Sequence, residues 1–145
     1  MNILVMNGPN LNMLGMREPD IYGHETLGDI EAQCRQLAAE HGMELDWFQS
    51  NLEGELIEKI QQAVGKVDWI IINAAGLTHT SVVLRDALSL FPGEVIEVHL
   101  SNVHSRESFR HVSLISAIAK GVIAGFGASS YYMAINAIPN LHSET

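Results

Sequence analysis

The chain has 145 residues, 47% of them hydrophobic and 17% charged, and its formal net charge at pH 7 is -9. This composition predicts a folded domain with a sizeable core, and the negative charge argues against nucleic acid or an anionic membrane as a partner. The single cysteine, Cys34, excludes an internal disulfide and a cysteine-rich zinc site, and its place in an apolar helical stripe predicts a buried structural role. The opening apolar run is too short to span a bilayer and resembles no signal peptide, so we expect a cytoplasmic protein.

Strands and helices alternate along the whole chain. Short continuous apolar runs predict buried strands, and apolar residues spaced three and four apart predict helices. Thr26 and Asp29 predict a capping box at the start of the first helix, and Gly42 predicts its end. The predicted strands cover residues 3–6, 45–49, 67–72, 95–100 and 122–126, and the predicted helices cover 26–41, about 56–64, 78–90, 112–120 and 129–138.

This alternation predicts the topology of the sheet. Strands separated by helices of this length need right-handed crossovers, which produce a parallel sheet covered on both faces. Five strands and five helices predict a flavodoxin-like, doubly wound α/β fold with strand order 2-1-3-4-5, in a single domain over residues 1–145. Ligands of such sheets bind beyond the carboxyl ends of the strands, near the reversal of strand order. The polar residues at these ends are Asn7, Asn10, Asn73, Glu97, His99, Ser101 and Asn102.

A long connection follows the first strand. Unstructured connections of this length are usually functional or disordered in compact domains. The segment carries Arg17 and Tyr22, so we predict a lid over residues 8–24 that brings an arginine and a tyrosine over the site. The alternative is a surface loop in which Tyr22 is a packing anchor.

Several sequence motifs and residue types are absent, which argues against the chemistry that depends on them. The sequence has no G-x-G-x-x-G, Walker A or G-x-S-x-G pattern, and Asn7 and Asn73 stand where a phosphoacceptor site needs acidic residues. The histidines do not match the ligand spacing of a metal site, so no metal is predicted. The three lysines, Lys59, Lys66 and Lys120, lie on predicted helices or just past one, which argues against a Schiff base.

Acid–base chemistry remains. Glu97 and His99 lie two apart on the fourth strand and hence on one face, where a carboxylate can orient an imidazole and keep it protonated as a general acid. Tyr22 is a candidate base if Arg17 lowers its pKa, and Arg110, which opens the predicted fourth crossover helix, is a candidate for binding hydroxyls or a carboxylate. The alternatives are a hydrogen-bonded core histidine and a solvated arginine at a helix start.

Six stretches of the sequence form a recognisable pattern. They read NGPNLNMLGMREPDIYG at 7–23, NLEGELI at 51–57, NAAGLTHTS at 73–81, LRDAL at 84–88, EVHLSN at 97–102 and RESFRH at 106–111. In this order the stretches resemble the type II 3-dehydroquinate dehydratases over nearly the whole chain. The resemblance implies a flavodoxin-like fold, a homododecamer built as a tetramer of trimers, and the dehydration of 3-dehydroquinate to 3-dehydroshikimate through an enolate without a cofactor. Aromatic amino acid biosynthesis by the shikimate pathway and quinate breakdown both use this chemistry.

The resemblance also implies roles in the reaction. Tyr22 removes the proton beside the ketone, and Arg17 depresses its pKa. Asn10 helps to stabilise the enolate through water. His99, held by Glu97, protonates the departing hydroxyl.

Other positions are implied to bind the substrate. Asn73 and the backbone amides of Leu100 and Ser101 hold its carboxylate. His79 and Arg110 bind the ring hydroxyls.

One further position and two departures from the family pattern concern subunit contacts. Asp86 matches an aspartate that reaches the neighbouring subunit's site, and its spacing of seven from His79 predicts a shared helix face. The family often has His-Ser-Tyr where this chain has Val112-Ser-Leu114, and Gly-Tyr where it has Ser130-Tyr131.

The alternative functions are a non-catalytic flavodoxin-like module that binds a carboxylate and a structural assembly protein.

Overall fold

The computed structural model describes residues 1–16, 20 and 24–143. Its centre is a parallel sheet of five strands in the order β2-β1-β3-β4-β5. The strands are β1 Asn2–Asn7, β2 Glu44–Gln49, β3 Trp69–Asn73, β4 Glu94–His99 and β5 Gly121–Ala124. Each lies where the sequence predicts a strand, and the predicted order and direction are confirmed.

Four α-helices of the described residues cover the two faces of the sheet. They are α1 Leu27–Glu40, α2 Glu53–Ala63, α3 Val82–Leu90 and α4 Ser129–Ser143. Because side chains alternate along a strand, Ile3 and Val5 of β1 pack with α1 and α4, whereas Leu4 and Met6 pack with α2 and α3. The doubly wound α/β fold with helices on both faces is therefore confirmed.

The first helix begins and packs as predicted. Thr26 Oγ1 accepts a hydrogen bond from the Asp29 amide at 3.1 Å, and Asp29 Oδ2 accepts one from the Thr26 amide at 3.0 Å, which completes the capping box. Cys34 is fully buried in this helix. Burial, with a smaller contribution from the charge of Glu31, raises the pKa of its thiol to about 12, so the thiol stays protonated and packs as an apolar group.

The third predicted helix is split into two pieces. Residues Ala75–His79 form a 3₁₀ helix, and α3 begins after Ser81, whose hydroxyl accepts a hydrogen bond from an amide of the first turn at 3.0 Å. Serine is a favoured N-cap, which explains why the α-helix begins here and not at Thr78. His79 and Asp86 therefore lie on different helices, and the prediction that they share a helix face is wrong.

The helix predicted over residues 112–120 is absent from the connection between β4 and β5, all of which is described. This connection contains the short 3₁₀ helices Val103–Ser105, Ser108–Arg110 and Ser116–Ile118. Ser113 Oγ accepts hydrogen bonds from the amides of Ile115 and Ser116 at 3.0 and 3.1 Å, and such local bonds compete with the helical ladder. Arg110 thus ends a 3₁₀ helix and does not open an α-helix.

The last helix is longer than predicted, since α4 continues through Pro139 to Ser143. Trp69 Nε1 donates to His142 Nδ1 at 3.2 Å, and Leu141 packs against the core, so tertiary contacts stabilise the final turn. Neither α4 nor any other described helix is long and apolar enough to cross a membrane.

The carboxyl ends of β1 and β3 are held close together. The Gly8 amide donates to the Asn73 carbonyl at 2.8 Å, and a Cβ at Gly8 would lie only 2.5 Å from the Ala74 carbonyl oxygen. Glycine is therefore required for this close approach. Leu11 and Leu14 are buried in the core just beyond it, so the chain after β1 is anchored beside the end of β3.

Candidate active site

A cleft of about 140 Å³ opens at the carboxyl ends of β1, β3 and β4. It lies where the reversal of strand order predicts a ligand site. The predicted site residues that line it are Asn10, Asn73, His79, His99, Leu100, Ser101 and Arg110. Residues that are far apart in the sequence are thus brought together at one edge of the sheet.

Glu97 and His99 form a buried pair at the end of β4. Glu97 is 1% exposed and His99 is 6% exposed, and His99 Nε2 is hydrogen-bonded to Glu97 Oε2. An ionised carboxylate can only accept, so Nε2 of His99 carries the proton in this bond. Nδ1 is then the ring nitrogen that can exchange a proton with a ligand.

Two serines complete the surroundings of the Glu97 carboxylate. Ser116 Oγ donates to Glu97 Oε1 at 2.7 Å, and Ser113 Oγ donates to the same oxygen at 3.0 Å. Burial raises the pKa of Glu97, but the hydrogen bond and charge of His99, together with the two serine hydroxyls, outweigh it and lower the pKa below its usual value. The carboxylate is therefore ionised at neutral pH and can stabilise a positive charge on His99.

His79 lies beside His99, with the ring centroids 6.5 Å apart and the planes inclined by 17°. Its Nδ1 is 2.8 Å from the carbonyl oxygen of Val112. A carbonyl oxygen can only accept, so Nδ1 of His79 carries a proton. In the neutral ring, Nε2 is then an acceptor for a ligand hydroxyl.

The side-chain amide of Asn73 is held in one orientation. Its Oδ1 accepts from the Ala75 amide at 3.1 Å, and its Nδ2 donates to the Tyr131 hydroxyl at 2.9 Å. Tyr131 is fully buried and donates in turn to Asn7 Oδ1 at 2.7 Å. Because an amide nitrogen has two hydrogens, Asn73 has a second donor for a ligand in the cleft.

A second group of donors follows β4. Leu100 and Ser101 come directly after His99, the last paired residue of the strand, so their backbone amides lie outside the β4–β5 ladder. Arg106 Nη1 donates to Ser101 Oγ at 3.3 Å and lines the cleft. Arg106 was not among the predicted site residues, although its place at the start of the stretch RESFRH was a signal that pointed to it.

Two arginines meet at Glu107. Arg110 Nε donates to Glu107 Oε1 at 3.1 Å, and Arg106 Nε lies 3.8 Å from the same oxygen. A hydrogen bond from its own backbone, followed by the one from Arg110, lowers the pKa of the Glu107 carboxyl. Two guanidinium groups at one cleft, in a chain of net charge -9, favour an anionic ligand there.

Asn10 is placed at the edge of the cleft by an unusual backbone turn. Its φ of 73° is left-handed, a conformation that asparagine tolerates better than most residues. The backbone amide of Asn10 donates to Asn51 Oδ1 at 2.8 Å, and Gln49 Nε2 donates to the same oxygen at 3.2 Å. The end of β2 thus fixes the turn that carries Asn10.

Two predicted site residues, Glu97 and Asp86, do not line the cleft, and two others lie outside the described residues. Glu97 lies behind His99, to which it is bonded. Asp86 is exposed on α3 in the single chain, so its contact with a neighbouring subunit stays a prediction. Arg17 and Tyr22 lie outside the described residues, as do residues 17–19 and 21–23 of the lid predicted over residues 8–24.

Over residues 1–16, 20 and 24–143, no group of three or more His, Cys, Asp or Glu side chains is arranged to hold a metal ion. The lysines also lie away from the cleft. Lys59 forms an ion pair with Asp46 at 2.9 Å, while Lys66 and Lys120 precede β3 and β5 at the opposite edge of the sheet. The side chains that do line the cleft include two histidines and two arginines, which are suited to proton transfer and to binding an anion with hydroxyl groups.

Known proteins share this sequence and fold. Residues 1–139 match the family model described as dehydroquinase class II. A protein named 3-dehydroquinate dehydratase from Synechococcus sp. (strain WH7803) is 54% identical over 97% of this chain and 95% of its own length. Another of that name from Tolumonas auensis is 58% identical over 93% and 89%. The crystal structure of type II dehydroquinase from Butyrivibrio crossotus has a TM-score of 0.94 and 43% identity, and the match covers 96% of this chain and 97% of that one.

Proposed function

Because the chain belongs to the class II dehydroquinase family, we propose that it converts 3-dehydroquinate to 3-dehydroshikimate by removing water. A proton beside the ketone leaves first, and the hydroxyl group leaves as water from the resulting enolate. No Schiff base and no cofactor take part. The observation that carries the proposal is the buried Glu97–His99 pair at a cleft that also contains Arg106 and Arg110.

His99 is the proposed general acid. Its Nδ1 donates a proton to the departing hydroxyl, and the ionised Glu97 stabilises the imidazolium before the transfer. Afterwards the ring is neutral with Nε2 still protonated toward Glu97. The hydrogen bond to Glu97 thus favours the same tautomer of His99 that is present after the proton transfer.

Tyr22 is the proposed base, with Arg17 beside it to lower the pKa of the phenol. Both come to the proposal from the match of residues 7–23 to the family pattern. Asn10, at the edge of the cleft, stabilises the enolate through water in this scheme.

Three donors are proposed to bind the substrate carboxylate: Asn73 Nδ2 and the backbone amides of Leu100 and Ser101. His79 Nε2 and the Arg110 guanidinium are proposed to bind the ring hydroxyls. Donors that the fold already holds in place cost little reorganisation when the substrate binds.

The proposal also includes a cytoplasmic homododecamer in which Asp86 on α3 reaches the site of the next subunit. The mass of such a dodecamer is twelve times the 15.9 kDa of one chain. Light scattering on the purified protein measures this mass. A fully active monomer would contradict the assembly and the role of Asp86 together.

The test of the function is the near-ultraviolet absorbance of the protein mixed with 3-dehydroquinate. We expect the absorbance of the enone product to rise, and to rise equally in the presence of a chelator and after borohydride treatment. Loss of activity with chelator or borohydride would contradict the metal-free or imine-free reaction. Substrate binding by calorimetry without product would favour the alternative, a non-catalytic carboxylate-binding module.

A further inference from the structure

The connection between β4 and β5 contacts one histidine of the cleft, His79, and the carboxylate that is bonded to the other, His99. The Val112 carbonyl accepts from His79 Nδ1 at 2.8 Å, and Ser113 and Ser116 donate to Glu97, the partner of His99. All of these contacts come from residues 112–116, the region where a helix was predicted. An α-helix there would use its backbone groups internally and would leave the Val112 carbonyl unavailable to His79.

Both oxygens of the Glu97 carboxylate are fixed by these contacts. Oε1 accepts from Ser116 at 2.7 Å and from Ser113 at 3.0 Å, while Oε2 accepts from His99 Nε2. Rotation of the carboxylate about its terminal bond would break all three hydrogen bonds. Since Glu97 is only 1% exposed, solvent does not replace them readily.

We propose that Ser116, supported by Ser113, is a positioning residue that fixes the Glu97 carboxylate and thereby sets the orientation and tautomer of His99. The proposal rests on the function assigned above to His99 as general acid. Ser116 acts on this step through Glu97 and has no direct contact with the substrate in the scheme.

The charges around Glu97 make the effect measurable as a pH dependence. Among the described residues, His99 is the titratable group whose charge acts on Glu97, and the connection between β4 and β5 contributes the uncharged hydroxyls of Ser113 and Ser116. His79 stacks on the far side of His99. Each hydroxyl favours the ionised carboxylate, so its removal raises the pKa of Glu97 and moves the acidic limb of the rate profile to higher pH.

Ser116 is a cleaner probe than Ser113. Ser113 Oγ also accepts from two backbone amides of its own turn, whereas the hydroxyl of Ser116 bonds Glu97. For Ser116→Ala we expect kcat to fall about tenfold, KM to change less than about twofold, and the acidic limb of kcat/KM to move upward. Ser116→Thr keeps a hydroxyl and should restore both kcat and the position of the acidic limb. Ser143→Ala, which removes a hydroxyl bonded to the Asn140 carbonyl at 2.9 Å, is the matched control.

A second readout needs no turnover. Nitrogen-15 spectra of the imidazoles in the whole protein should show a protected Nε2 proton on His99 in the wild type and a faster-exchanging one in Ser116→Ala. Unchanged spectra and an unchanged pH profile, even with a lower Tm, would overturn the positioning role. A wild type that shows the protected proton but forms no product would instead contradict the proposed function.

Discussion

The third and fourth crossovers of the sheet, residues 74–93 and 100–120, are similar in length and opposite in construction. The third contains the α-helix α3, whose Leu84 and Leu88 are buried against the sheet. The fourth replaces a helix with short turns whose serines and arginines reach the site. The third crossover mainly covers the sheet and contributes His79 to the cleft, whereas the fourth contributes several polar groups to the cleft and to Glu97.

The two crossovers are also joined. The Leu114 amide donates to the Thr78 carbonyl at 2.8 Å, and Arg85 Nη1 on α3 donates to the Leu114 carbonyl at 2.7 Å. The regular helix thus supports the irregular segment that carries the site contacts. This division agrees with the general pattern in which functional groups on loops are held by a rigid scaffold.

The largest expected effect tests the polar side of this comparison. His99→Ala removes the proposed general acid, and we expect turnover to fall by about 100- to 10,000-fold while the fold is retained. Steady-state kinetics with 3-dehydroquinate and circular dichroism measure the two quantities. His41→Ala, at the end of α1, is the control and should keep wild-type turnover. Near-normal turnover in His99→Ala would remove His99 from the reaction.

A matched pair of core substitutions compares the crossovers directly. Leu84 on α3 and Ile115 in the fourth crossover are both fully buried. Each change to alanine should lower the free energy of unfolding by about 2–5 kcal/mol. Only Ile115→Ala should also lower kcat of the folded protein, because it loosens the turn that holds Glu97. Equal kcat values for the two variants would show that the crossovers are not functionally distinct.

A smaller effect concerns acid stability. The pKa of Glu97 is lower in the folded chain than its ordinary value of 4.5, so the unfolded state binds more protons below that pH. The contribution of Glu97 to stability is fully present above about pH 4.5 and is lost as the pH falls through the lower folded pKa. Glu97→Gln lacks this titration, and its Tm should fall less than that of the wild type between pH 5 and pH 3. Parallel Tm curves would contradict the shift.

The smallest effect separates a capping serine from a positioning serine. Ser81 caps α3 through the Leu84 amide, so Ser81→Ala should lower the free energy of unfolding by about 1 kcal/mol. Its pH–rate profile should match the wild type, in contrast to that of Ser116→Ala. Chemical denaturation and kinetics on the same samples measure both. A shifted profile in Ser81→Ala would mean that any loss of stability disturbs the site.

The sheet and the edge that carries the cleft could be predicted because their signals are local. Continuous apolar runs such as residues 69–72 indicate strands buried on both faces, and parallel strands place their carboxyl ends together. The pairing of Glu97 with His99 follows from the alternation of side chains along one strand.

The fourth crossover could not be predicted in this way. Its apolar residues match a helical period, but Ser113 and Ser116 form hydrogen bonds that depend on a glutamate from β4, and propensity carries no information about such a contact. Arg106 was missed for a similar reason, since its partner Ser101 is recognised only once the chain has turned after β4.

The hydroxyl of Tyr131 joins the ends of β1 and β3 through Asn7 and Asn73, yet Tyr131 belongs to α4. During synthesis both asparagines leave the ribosome well before residue 131 does. A nascent chain therefore has the strand-end residues of the cleft before it has the group that orients the Asn73 amide. Ligand binding of full strength therefore requires α4 to have packed against the sheet, so the appearance of binding during folding reports on that packing step.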